Sequence, residues 1–297
     1  MKKMIVRADD VGYTDVCNIG TFETITNGIV TSADVMLESP GTVDALNRLR
    51  ETPWISVGWH SHFWFSPVLP AEQVPTLLTP GTNRFRQDLL TTDEIDPAEL
   101  EAEMHAQMQR CLMILGRVPD TTDISKTVTV FSTVKEKICD EYGIAHHFAT
   151  KGGRDGITPA SEKWADRKIV IPAPVNAYRE IESDSVTSQY ENYDPVKYYL
   201  EDPDKMLELP DDVIFEQSWH PGYVDYTVYK QGDHGPRARF FTSVRTEDVA
   251  ALTSQRLHDW VREHGIALIN FRDALYGTNE YQNHLRAVGS DLYVGRV

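Results

Sequence analysis

Residues 4–37 read MIVRADDVGYTDVCNIGTFETITNGIVTSADVML. Met4 to Ala8 has the apolar bias of a buried strand, and Asp9-Asp10 follows at its C-terminal end. Thr14 to Asn27 then reads as a helix with Gly28 as its natural stop, and Ser32 to Leu37 as a second strand. A strand, a helix and a strand in that order call for parallel pairing, because a parallel neighbour is reached only by a long crossover.

The same alternation continues outward from this stretch. The pattern predicts a helix over Thr42–Arg50, a strand over Ile55–Trp59, and a loop over Gln73–Asp96. A strong helix follows over Pro97–Leu115, with Pro suited to its first turn. Thr121–Asp123 reads as a short strand, Val130–Tyr142 as a helix stopped at Gly143, and Ile144–Phe148 as a strand. Lys151–Asp166 reads as a polar loop, Lys168–Ile171 as a short strand, Asp194–Glu208 as a helix and Val213–Trp219 as a strand. Tyr223–Ser243 reads as a long loop of the kind that lines a site, Thr246–Glu263 as one amphipathic helix, and Ile266–Asn270 as the last strand. No composition break or Ser/Gly linker divides the series, so the expectation is one domain over residues 1–297. Its fold class is α/β, a distorted TIM-like (β/α) barrel of mostly parallel strands with helices outside. An open doubly wound sheet has less support, since no Gly-rich phosphate loop follows the first strand.

Composition narrows the partners. Apolar residues make up 41% of the chain, enough for a sizeable core. Asp and Glu number 45 against 29 Lys and Arg, a formal charge of −16. Such a surface repels nucleic-acid phosphates and anionic lipid, so neither nucleic acid nor membrane is an expected partner. Cys17, Cys111 and Cys139 show no CxxC spacing and read as small core residues rather than a disulfide or zinc framework. The first residues lack the apolar run of a signal peptide, and no run of about eighteen apolar residues could span a bilayer, so the expected location is cytoplasmic.

Titratable residues sit where strands end: Asp9 and Asp10 after the first, His60 and His62 after the third, Asp123 after the fourth, His146 and His147 in the fifth, and His220 later. In a parallel barrel these ends converge on one face, which holds the active site. Asp9 and Asp10 fit a division of labour in which one carboxylate binds a cation and the other takes a proton from water. They equally fit a helix cap or solvated acids. His60 and His62, two apart in a strand, share a face beside a carboxylate, a common metal-ligand arrangement; as loop histidines among Trp59, Phe63, Trp64 and Phe65 they would do nothing. His220 precedes Pro221-Gly222, so the chain turns at once and presents the imidazole at the rim, where it can assist a leaving amine or simply bond within the turn. No GxSxG, HExxH, Walker or CxxC motif is present. A glycosidase pair of carboxylates stays open.

At these residues the chain resembles the YdjC-like carbohydrate (chitooligosaccharide) deacetylases. The resemblance rests on Ala8-Asp9-Asp10-Val11-Gly12 with Asn18, Gly28-Ile29-Val30-Thr31-Ser32, Val57-Gly58-Trp59-His60, Gly116-Arg117-Val118-Pro119-Asp120 with Asp123, Trp219-His220-Pro221-Gly222, and Arg245 with Asp248. It implies a distorted β/α barrel that removes an acetyl group from an N-acetylated sugar using a divalent metal ion, Mg or Zn. It further implies Asp9 as general base, Asp10 and His60 as metal ligands and His220 as the histidine assisting the amine. A small carbohydrate is the implied partner, and a homodimer is the assembly to test for. The chain departs from the family where Asp123-Ile124-Ser125-Lys126 places Ser125 at a metal-ligand histidine. An arginine of the family is also replaced near His147. Three outcomes follow: His62 or His147 supplies the ligand, fewer ligands suffice, or activity has lapsed and leaves a sugar-binding protein on the same scaffold.

Overall fold

The structure is a computed structural model, and it describes residues 1–124, 127–148, 157–158, 169–170, 193–203, 205–231 and 236–295. Within those ranges, chain order is β1 Lys3–Val11, α1 Asp15–Thr26, β2 Ser32–Val35, α2 Thr42–Arg50, β3 Ser56–Trp59, α3 Pro97–Leu115, β4 Thr121–Ile124, α4 Val130–Tyr142 and β5 Ala145–Phe148. Then come β6 Ile157–Thr158, β7 Ile169–Val170, α5 Pro195–Glu201, β8 Ile214–Trp219, α6 Tyr226–Gln231, α7 Pro236–Leu252, α8 Gln255–Glu263, β9 Ala267–Leu268, α9 Phe271–Tyr276 and α10 Glu280–Ala287.

The strands form one sheet in the order β5-β4-β3-β2-β1-β8-β7-β6, with β9 also paired to β1. Every ladder is parallel except β6 with β7. The mostly parallel α/β architecture expected from the alternation is therefore present. Hydrogen bonds do not close the ladder among the described residues, in keeping with a distorted barrel. β1 is the axis: one edge pairs with β8 from Lys3–Ile214 to Ala8–Trp219, and the other with β9 at Lys3 and Met4, then with β2 from Arg7 onward. Strands covered on both faces should be apolar throughout, and Met4, Ile5, Val6, Ala33, Val35, Val57 and Phe215 are fully buried.

Local signals set the helix ends. Thr14 accepts the Cys17 N–H at 3.1 Å to start α1. Asp96 accepts the Ala98 N–H and Pro97 occupies the first turn of α3, which Gly116 ends at φ 85°. Thr129 and Ser132 cap α4 reciprocally, and Gly143 closes it at φ 70°.

Three expectations need correction. The stretch over Tyr223–Ser243 is not all loop, since α6 and the start of α7 lie inside it. Val228 of α6 is buried in a small apolar group with Tyr13, Cys17, Met36 and Phe65, and that burial stabilises the turn of helix. The single helix over Thr246–Glu263 is two, because Ser254 accepts the Leu257 N–H at 3.2 Å and starts α8 afresh. The helix over Asp194–Glu208 stops at Glu201, with Asp202 left-handed at φ 42° and its carboxylate accepting the Met206 and Leu207 N–H groups. Most of Lys151–Asp166 lies outside the described residues. Cys17, Cys111 and Cys139 are buried free thiols. Among the described residues no helix is long and apolar enough to cross a membrane.

Candidate metal centre

β1 carries its two acids through an irregularity. The β1–β2 register shifts between Ala8 and Val11, and Asp10 adopts φ 58°, a left-handed conformation unusual for a residue with a side chain. Adjacent strand residues ordinarily face opposite ways. Here the irregularity brings both carboxylates to the same strand-end region, with His60 between their surroundings. The loop after it is pinned by Asn18, whose side chain accepts the Gly12 N–H at 2.8 Å and donates to the Gly41 carbonyl at 2.9 Å. Asn18 thus serves the scaffold rather than the chemistry.

Asp10 and His60, fifty residues apart in sequence (10 to 60), meet with His60 Nε2 3.1 Å from Asp10 Oδ1. His62 Nε2 lies 3.4 Å from the same oxygen, and the two imidazole centroids are 4.0 Å apart at 76°. The other oxygen, Oδ2, accepts a hydrogen bond from Arg245 Nη2 at 2.6 Å. Burial alone would raise the Asp10 carboxyl, but Arg245, His60 and His62 outweigh it and hold the group well below the usual carboxylate range. Burial likewise opposes charge on His60, yet Asp9, Asp10 and Asp34 push it up to about 9.

The distances from Asp10 Oδ1 to the imidazoles are those of hydrogen bonds, but the directions are not. Both Asp10 Oδ1 and His60 Nε2 are buried without an aligned partner. One carboxylate oxygen and two imidazole nitrogens, all within 4.8 Å of one another, form a donor set that fits a divalent cation. A second group, Asp9, Asp34 and His60, satisfies the same separation. Imidazole-rich sets suit zinc-like ions better than magnesium, which prefers oxygen.

Asp9 faces a different partner. Arg7 Nε lies 2.7 Å from Asp9 Oδ1, and Arg7 Nη2 donates to Asp9 Oδ2 at 3.2 Å. The same guanidinium lies 3.5 Å from Asp34, 3.2 Å from Asp123 and 3.1 Å from Glu216. Arg7, Asp34 and Glu216 were not singled out from sequence. The available signal was their placement: charged residues inside strands buried on both faces must find partners, or the burial is prohibitive. Gly58 makes room for this group, since a Cβ there would stand 1.9 Å from Asp34 Oδ1. Gly58→Ala is therefore expected to cost about 2–3 kcal/mol, read as a lowered midpoint in urea unfolding.

His220 sits at the end of β8, and its backbone N–H donates to Asp248 Oδ2 at 2.8 Å. The Pro221 carbonyl accepts from Thr21 Oγ1 at 2.6 Å, and the Gly222 N–H donates to the Arg245 carbonyl at 3.3 Å. A Cβ on Gly222 would come within 2.3 Å of Cys17 Sγ, so a larger residue there would have to displace that thiol for the turn to lie this close to α1. Burial lowers the His220 imidazole to about 4, with Asp10 and Asp9 opposing the shift less strongly. Arg245 and Asp248, three apart on α7, thus hold Asp10 and the His220 backbone respectively. His146 is buried in β5. Ser125 and Lys126 lie outside the described residues, as does the side chain of His147. The segment Gly116–Asp120 serves the far end of the sheet, where Asp120 Oδ2 accepts from Val57 N–H, Arg117 and Arg272 at 2.8, 2.7 and 2.9 Å.

A barrel-like α/β fold carrying a carboxylate–imidazole cluster where β1 and β3 end defines a protein with a candidate metal centre in the usual active-site position of such folds. The chain belongs to the YdjC-like protein family, whose family model matches residues 3–263. It is 27% identical over 287 residues to a carbohydrate deacetylase of Enterococcus faecalis, covering 91% of this chain and 97% of that protein. It is 24% identical to a chitooligosaccharide deacetylase of Proteus mirabilis, covering 92% and 98%. Among solved structures, a putative cellobiose-phosphate cleavage protein of Enterococcus faecalis superposes with a TM-score of 0.68 at 23% identity, over 92% of this chain and 98% of the other. That likeness supports the fold.

Proposed function

We propose that this protein is a metal-dependent amidohydrolase that removes the acetyl group from an N-acetylated sugar or small oligosaccharide in the cytoplasm. The observation that carries this reading is the convergence of Asp10 and His60 on one point, with Asp9 beside them on the same strand. The named relatives support the choice of substrate class.

Asp10 and His60 would hold the cation, and the chemistry a bound divalent ion supplies is Lewis-acid polarisation of the acetyl carbonyl. Asp9, oriented by Arg7, takes a proton from the attacking water. As the C–N bond breaks, the proton that Asp9 took from water passes to the leaving amine nitrogen, which leaves Asp9 ionised again. His220, kept neutral by burial, offers a ring N–H to direct that nitrogen. Arg245 fixes Asp10 from behind, so the carboxylate keeps one oxygen turned toward the imidazoles.

The test is acetate release from N-acetylated chitooligosaccharides alongside metal analysis of the purified protein. The expected result is bound zinc-like metal and acetate production, lost on chelation and regained on adding metal back. Saccharide binding with neither metal nor acetate would instead make the chain a sugar-binding protein on this scaffold. Release of a reducing sugar would make it a glycosidase.

A further inference from the structure

We propose that His62 is a third protein ligand of the cation and that Trp64 is the side chain that fixes it in place. The inference rests on the metal-dependent reading above but concerns how this chain builds the centre.

His60 and His62 lie beyond the last paired residue of β3, where nothing in the sheet obliges their rings to converge. The backbone makes them do so. The His60 N–H still bonds the Val35 carbonyl at 2.9 Å, continuing the ladder, and the His62 N–H then folds back onto the His60 carbonyl at 3.1 Å. Phe63 follows at φ 56°, a costly conformation for a bulky residue. It is held there by its ring, buried against Phe85 and Phe131 at centroid distances of 4.8 and 5.1 Å. Strain of this kind, stabilised by surrounding packing, turns two imidazoles so that both Nε2 atoms face Asp10 Oδ1.

Trp64 completes the arrangement. Its indole lies flat on the His62 ring, with centroids 4.1 Å apart and planes at 5°. It stands edge-on to Tyr13 at 6.0 Å, and Tyr13 in turn packs under the Arg245 guanidinium at 5.1 Å. The Trp64 backbone N–H donates to Glu38 Oε1 at 3.3 Å. Ligand histidines commonly have their orientation set by an outer hydrogen bond; a flat stacking contact fixes the plane of His62 in the same way.

The rival location is the Asp9, Asp34 and His60 group. There Asp9 presents both oxygens to Arg7, whereas Asp10 gives only Oδ2 to Arg245 and leaves Oδ1 toward the two imidazoles. The Arg7 guanidinium, against both Asp9 oxygens and 3.5 Å from Asp34, already supplies positive charge to the rival group and disfavours a second cation there.

The experiment titrates chelator-stripped protein with Co(II) and Zn(II), following affinity by calorimetry and coordination by the Co(II) visible spectrum. His62→Ala is expected to weaken binding by roughly 100-fold or more and to alter the spectrum. Trp64→Ala is expected to weaken it about 10–100-fold, the usual effect of losing an orienting partner. Trp64→Phe, which keeps a flat ring, should recover most of the loss. His62→Gln serves as the second substitution should the alanine variant not fold, and the melting temperature of each metal-free protein separates lost binding from lost structure. Unchanged affinity in the His62 variants, with binding lost in Asp34→Asn, would overturn the proposal and move the ion to the other side of His60. Failure of the parent protein to bind either ion would overturn this proposal and the metal-dependent reading together, whereas binding without acetate release would leave this one standing.

Discussion

Asp9→Asn is expected to lower kcat for acetate release by roughly 10²–10⁴-fold, the range for a lost general base, while Co(II) affinity stays within a few-fold of the parent. The two readouts separate because the two acids of β1 have separate partners. Asp10 faces His60, His62 and Arg245, and Asp9 faces Arg7. An amide in place of the Asp9 carboxylate keeps the side chain's shape but cannot accept a proton from water. Arg7 keeps Asp34, Asp123 and Glu216 after the change, so the fold is expected to hold. Single-turnover acetate release and calorimetric metal titration on the same preparation check the result. An Asp9→Asn protein with full kcat would place the base elsewhere.

Arg7→Met should be the most destabilising substitution in the sheet. It keeps most of the side-chain volume and removes a cation that lies within 3.5 Å of four carboxylates, Asp9, Asp34, Asp123 and Glu216. Glu216 is fully buried and Asp34 almost so, so neither can turn to solvent. Burial raises the Asp34 carboxyl to about 7 even with Arg7 beside it. Taking one partner from a buried ion group costs about 3–5 kcal/mol, a fall in melting temperature on the order of 10 °C. Adding Glu216→Gln to Arg7→Met should return part of that loss, because it removes one fully buried negative charge from the group. A melting temperature for Arg7→Met within about 2 °C of the parent, less than 1 kcal/mol, would show that water screens the cluster.

Much of this was legible in the chain, and unevenly so. The bounds of α2, α3 and α4 coincide with the sequence expectation, because the signals that end a helix are local: Pro97 and Gly116 around one, Thr129 and Gly143 around another. Barrel logic puts Asp10 and His60 on one face, since parallel strands bring their C-terminal ends together, and the family resemblance singled out that pair, which the structure places 3.1 Å apart. The break between α7 and α8 was missed because an apolar stripe runs across it, and only the Ser254 side chain marks the restart. The helical part of Tyr223–Ser243 was missed because its stability comes from Val228 meeting Tyr13 and Phe65, residues more than 150 positions earlier (65 to 228).

By itself, then, the sequence determined the alternation of strand and helix, the parallel sheet it demands and the end of that sheet where Asp10 and His60 meet. It also pointed to Asp9, Asp10, His60 and His62 at that end, but not to Asp34 or Glu216 inside the strands. Tertiary structure decided how those side chains are shared out: Asp9 to Arg7, Asp10 to Arg245 and two histidines, His62 to the face of Trp64. Periodicity and caps act within a few residues of chain, whereas ion pairs and ring stacking depend on distances of 3–4 Å between groups that only the folded backbone brings together.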